Sequence, residues 1–68
     1  MYKNLKAEMS RYGIENKDIA SRLNITPSTA SLKLNGKAKV TVQEAWSIQD
    51  LFVEKASVNF TLDYLFKI

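Results

Sequence analysis

Residues 24–37 read "NITPSTASLKLNGK", a short segment bounded at both ends by residues that turn a chain. Asn24 tolerates the left-handed conformation better than most residues, so it suits the end of a preceding helix. Thr26 is a natural N-cap, and Pro27 sits at the first helical position, where a missing N–H costs nothing. The spacing predicts a helix running from Pro27 to Asn35 and ending at Gly36. That helix is short and built of small residues. Three hydroxyl side chains stand within the four positions from Ser28 to Ser31, two lysines lie in its later half and beyond, and no acid appears.

Helical periodicity extends outward in both directions. Upstream, Asn16 is the expected N-cap of another short helix, with Lys17 and Asp18 outward and Ile19, Ala20 and Leu23 inward. Further upstream, Tyr2, Leu5, Met9 and Tyr12 recur at three- and four-residue steps and predict a one-faced helix stopping at Gly13. Downstream, Thr41 with Glu44 three residues later forms a capping box. It opens a fourth helix with Val42, Ala45, Ile48 and Phe52 as its inner face, and Trp46 between them reads as core or, second to that, as a partner contact. "EKASVN" reads as a polar linker. "TLDYLFKI" reads as a final short helix or turn, with Leu62, Leu65 and Phe66 closing the core. No alternating stretch suggests a strand. The expected architecture is an all-α, compact bundle of about five short helices forming one domain over residues 1–68.

Composition narrows the function classes. A chain of 68 residues buries only about 60% of its unfolded surface. Apolar residues at 46% nevertheless supply a core. There is neither cysteine nor histidine, which argues against disulfides and against a zinc site. No apolar run approaches the ~18 residues of a membrane span. Met1 leads straight into a charged amphipathic segment rather than a signal peptide, so a cytoplasmic location is expected. Serine and threonine nucleophiles would lack an activating base, and the seven carboxylates are expected on scattered solvated faces, so no enzyme and no cofactor are expected. Membrane-surface binding would want cations along one long helical face, whereas here they gather near a turn.

Net charge is +3, but its distribution is uneven. Between Asp18 and Glu44 no acid occurs, and Arg22, Lys33, Lys37 and Lys39 give that interval +4 while the flanks sum to −1. A concentrated basic region is the electrostatic footprint of a polyanion binder. The two helices around Asn24 are joined by so few residues that they should cross as a helix-turn-helix, with Ala20 and Ala30 permitting close approach. Directing Ala30 and Leu34 inward turns Ser28 and Leu32 outward, flanked by Thr29, Ser31 and Asn35. Hydroxyls and amides reach base edges in a major groove, and an apolar side chain meets a thymine methyl.

The run "DIASRLNITPSTASLKLNGK" resembles the helix-turn-helix of the phage Cro and repressor class, the lambda-repressor-like DNA-binding domains. The similarity rests on Ala20, the "STAS" from Ser28, and Asn35-Gly36-Lys37. "TVQEAWSIQDLF" and "LDYLF" resemble the later part of such a domain, so the similarity covers nearly the whole chain. Asn24 stands where these proteins often carry glycine, and "EKASVN" is longer than the usual connection. The resemblance implies that Asn16 and Lys17 touch a phosphate. It implies that Thr26, Pro27, Ser28, Thr29, Ser31 and Leu32 face the groove, while Lys33, Asn35, Lys37 and Lys39 hold the DNA backbone. The expectation is a sequence-specific, Cro-like transcriptional repressor of double-stranded DNA, ending with its DNA-binding domain. A weak homodimer is expected, formed on DNA and using the apolar C-terminal group Tyr64, Leu65, Phe66 and Ile68. The rival reading is a protein–protein interaction module on the same fold, of the antitoxin or anti-repressor kind.

Overall fold

Left-handed residues and side-chain caps divide the chain into five helices. The computed structural model describes residues 2–68, and Met1 lies outside them. The elements are α1 (Lys3–Tyr12), α2 (Asn16–Leu23), α3 (Pro27–Leu34), α4 (Val42–Ala56) and α5 (Leu62–Leu65), with no strand among the described residues. The all-α expectation therefore holds.

Most of the predicted stops and starts are present with their expected chemistry. Gly13 ends α1 at φ 69°, and Asn24 ends α2 at φ 58°. After Asn24 the Ile25 N–H returns to the Ala20 carbonyl at 2.9 Å, closing the last turn of α2. Thr26 Oγ1 accepts the Thr29 N–H at 3.2 Å with Pro27 at the first helical position. Thr41 and Glu44 cap each other's backbone, at 3.1 and 3.0 Å.

The core gathers side chains from every element. Leu5, Ile19, Ala30, Phe52 and Leu65 are fully buried, joined by Met9, Ile14, Ala20, Leu34, Ile48 and Leu51. Leu23 and Phe66 are half-buried against this cluster. α2 packs on both α3 and α4, and α5 closes the bundle against α1 and α4. A ring group of Phe52, Phe60, Tyr64 and Tyr12 seals one side, with the Phe60 and Tyr64 rings stacked at 5.4 Å.

Several expectations are corrected. The N-cap of α2 is Glu15, not Asn16, because the Asp18 carboxylate accepts the Glu15 N–H at 2.8 Å and fixes the helix start one residue earlier. α3 ends at Leu34, with Asn35 as its cap. Val42 is 62% exposed and Trp46 54% exposed, so neither belongs to the core. At roughly 100° per residue, Ala45, Ile48, Leu51 and Phe52 define the inner face of α4 and leave Val42 and Trp46 well to its side. Glu54, Lys55 and Ala56 of the expected linker are helical, because Arg22–Glu54 and Asp18–Lys55 ion pairs hold the last turns of α4 to α2. Not every carboxylate is solvated either. Glu8 is 5% exposed, where its Oε2 accepts the Tyr64 hydroxyl at 2.6 Å and its Oε1 lies 3.2 Å from the Arg11 guanidinium.

Candidate nucleic-acid interface

The surface of α3 follows from what its inner side must bury. Ala30 and Leu34 fill the core, so Ser28 and Leu32 emerge on the opposite face, Leu32 with 47% of its surface exposed. Thr26 and Pro27 are exposed at the helix start, and Thr29 and Ser31 are half-buried on its shoulders. Thr29 is partly spoken for, since its hydroxyl accepts from the Thr26 hydroxyl at 3.0 Å. The face offers hydroxyl donors and acceptors around one apolar knob, with no carboxylate on the helix.

Past the helix, backbone hydrogen bonds fold the chain tightly onto the last turn. Gly36, at φ 75°, adopts a conformation that disfavours side chains. The Lys37 and Ala38 N–H groups both donate to the Leu32 carbonyl, at 2.9 and 3.2 Å. Lys37 and Lys39 consequently stand exposed beside the C-terminal end of α3.

Ion pairing redistributes the charge of the central interval. Arg22 is paired with Glu54. Lys33 points away from solvent, its Nζ 3.0 Å from Glu44 Oε1 and donating to the Lys39 carbonyl at 2.7 Å. Glu44 thus serves its own helix cap and Lys33 at once. The Thr41 N–H, and after it Lys33, hold its carboxyl below the usual carboxylate range. Of the four cations read from the sequence, Lys37 and Lys39 alone have no carboxylate partner among the described residues.

Lys6 joins them from α1. Its Nζ donates to Asn35 Oδ1 at 2.5 Å, and the Asn35 amide donates in turn to the Ser31 carbonyl at 2.9 Å. Its partner is neutral, so the charge of Lys6 is uncompensated. Three lysines, Lys6, Lys37 and Lys39, therefore collect around the C-terminal end of α3, where the helix dipole also favours cations. Sequence reasoning missed Lys6 because 29 positions separate it from Asn35. No local pattern marks such a contact.

Asn16 and Lys17 are exposed at the first turn of α2, but acids surround them. Lys17 Nζ lies 3.6 Å from Glu15 Oε2, and Asp18 shares the turn. The Glu15 N–H, more than the nearby Lys55 and Lys17, lowers the Asp18 carboxyl from its ordinary value. This end of α2 is thus electrostatically poorer than the end of α3. Asn35 spends both ends of its amide inside the protein, on Lys6 and Ser31. The chain matches no family model, no curated protein and no solved structure.

Proposed function

We propose that this protein is a sequence-specific, double-stranded-DNA-binding transcriptional regulator, a Cro-like repressor of the phage or prophage kind working in the cytoplasm. α2 and α3 act as its helix-turn-helix, and α3 lies in the major groove. The observation that carries this reading is one juxtaposition: the acid-free outer face of α3, bearing Ser28 and Leu32, stands next to three lysines without carboxylate partners. Small polar side chains and one exposed leucine suit base edges and thymine methyls, and unpaired lysines suit flanking phosphates. A single short helix reads about half a turn of DNA, so two copies occupy a two-fold site with half-sites about one helical turn apart. Within the expected dimerising group, Leu65 is buried and Phe66 half-buried in the chain's own core, leaving Ile68 and part of Tyr64 exposed.

The test separates reading from holding. Duplexes selected from a random pool define the preferred site, and each variant is then titrated on it and on a scrambled duplex. Ser28→Ala and Leu32→Ala should change base preference at about 1–3 kcal/mol per lost contact while leaving the salt dependence nearly intact. Lys37→Ala with Lys39→Ala should weaken binding to both duplexes alike. If the lysine variant loses sequence preference while the Ser28 and Leu32 variants lose only general affinity, α3 is not the reading helix.

A further inference from the structure

The outer face of α3 presents none of the side chains that read a base by paired hydrogen bonds. In a major groove, arginine and lysine bond to O6 and N7 of guanine, and asparagine and glutamine to N6 and N7 of adenine. Carboxylates accept from the N4 amine of cytosine. α3 and its C-cap hold two residues of these kinds, Lys33 and Asn35, and no acid. Both are turned to partners inside the protein. Lys33 has 15% of its side chain exposed, with Nζ 3.0 Å from Glu44 Oε1 and donating to the Lys39 carbonyl at 2.7 Å. The Asn35 amide donates to the Ser31 carbonyl at 2.9 Å, and its Oδ1 accepts from Lys6. Adenine needs both atoms of such an amide at once, and here each is already engaged.

What remains outward is hydroxyl and hydrocarbon. Ser28 and Leu32 are exposed one helical turn apart on the same face. A serine or threonine hydroxyl both donates and accepts, so it suits several bases and discriminates weakly among them. Two of the hydroxyls are also bonded to each other, Thr26 donating to Thr29 at 3.0 Å. Leu32 is the one large apolar side chain on this face, with 47% of its surface exposed. The C5-methyl of thymine is the one apolar feature that sets a base pair apart in the major groove. We propose that the protein selects its site through a thymine methyl packed on Leu32 and makes no demand for guanine beneath α3. Leu32 is then the specificity-determining residue, and Ser28 adds a hydroxyl contact at a neighbouring pair. The Lys33–Glu44 pair contributes by turning the only cation of α3 away from the bases. This proposal rests on the reading of α3 as the helix in the groove.

The probes are synthetic duplexes of the site selected from a random pool. Deoxyuridine replaces each thymine in turn, which deletes one methyl and keeps the base pair. 7-Deazaguanine replaces each guanine in turn, which deletes the N7 acceptor and keeps the base pair. At one thymine per half-site deoxyuridine should weaken binding about fourfold, as expected for the loss of one buried methyl. 7-Deazaguanine should change binding by less than about twofold, against about fivefold or more for a lost bidentate contact. Leu32→Ala should bind the thymine and deoxyuridine duplexes alike, whereas Ser28→Ala should keep the fourfold difference. Equal binding of thymine and deoxyuridine at every position overturns the proposal, as does a difference that survives Leu32→Ala. A loss of fivefold or more with 7-deazaguanine also overturns it while leaving the DNA-binding reading in place, because another group then reads the sequence. If the pool yields no preferred sequence, both readings fall together.

Discussion

The sharpest consequence of the charge arrangement is a salt experiment in which equal changes of net charge give unequal results. Binding DNA releases condensed counterions, and log affinity falls against log salt with a slope of about −0.9 per phosphate neutralised. Lys6, Lys37 and Lys39 have no internal carboxylate, so each is free to neutralise a phosphate. Replacing any one by alanine should flatten the slope by about 0.9, and replacing all three by about 2.7 per bound chain. Over a fourfold rise in salt that difference amounts to about a fortyfold change in relative affinity. Arg22 already holds Glu54, so Arg22→Ala lowers net charge as much as Lys6→Ala does while removing no phosphate partner. Fluorescence anisotropy of a labelled duplex over a salt series measures both slopes. Equal flattening by Arg22→Ala and Lys6→Ala would mean that total charge governs binding and internal pairing does not. A triple lysine variant with the parent's slope would remove α3 and its surroundings from the DNA interface altogether.

Three further outcomes are expected for the scaffold. Ala20→Leu overfills a position that is 3% exposed on α2, costing about 1–3 kcal/mol. It should lower the thermal midpoint by about 4–8 °C for each of those kcal/mol, and an unchanged melt would place Ala20 away from a close crossing. Gly13→Ala meets no atom within 4 Å, so any loss comes from its left-handed φ of 69° alone. That loss should be about 1–2 kcal/mol in denaturant titration, and substitution by D-alanine should avoid it. Glu44 has a folded-state pKa below its ordinary 4.5, so its contribution is complete above that pH and fades as pH falls through the lowered value. Glu44→Gln should therefore flatten part of the acid limb of stability against pH, and an identical acid limb in both proteins would contradict the pairing with Thr41 and Lys33.

Sequence alone revealed what is encoded by neighbours along the chain. Gly13, Asn24, Thr26-Pro27 and the Thr41–Glu44 pair each act over one helical turn, and each terminates or opens a helix where expected. The errors arose where two signals compete over the same residues. α4 is apolar on two sides, and periodicity cannot say which stripe faces inward when both recur at helical spacing. Apolarity points Val42 inward and leaves Trp46 between core and partner contact, yet both are exposed and Leu51 takes the inward place. Glu15 displaced Asn16 as a cap because the acid at Asp18 stands three residues after it. Partners far apart in sequence were illegible: Lys6 with Asn35, Glu8 with Tyr64, and Arg22 with Glu54 are 29, 56 and 32 positions apart.

Those distant contacts decide which charges face outward, and that bears on function more than the count of lysines does. Formal charge in residues 19–43 is +4, but two of those cations spend their charge on holding helices together. Arg22 fastens α2 to α4. Lys33 fastens the end of α3 to the start of α4, and its bond to the Lys39 carbonyl also fixes the loop that carries Lys37 and Lys39. An exposed ion pair contributes little stability by itself. The Lys33–Glu44 pair differs in being partly buried and in sharing an acceptor with a helix cap, so it sets geometry as well as charge. Within the proposed interface Lys33 thus acts through the placement of Lys37 and Lys39, and Lys6 would take the phosphate-facing role that linear reading had given to Lys33.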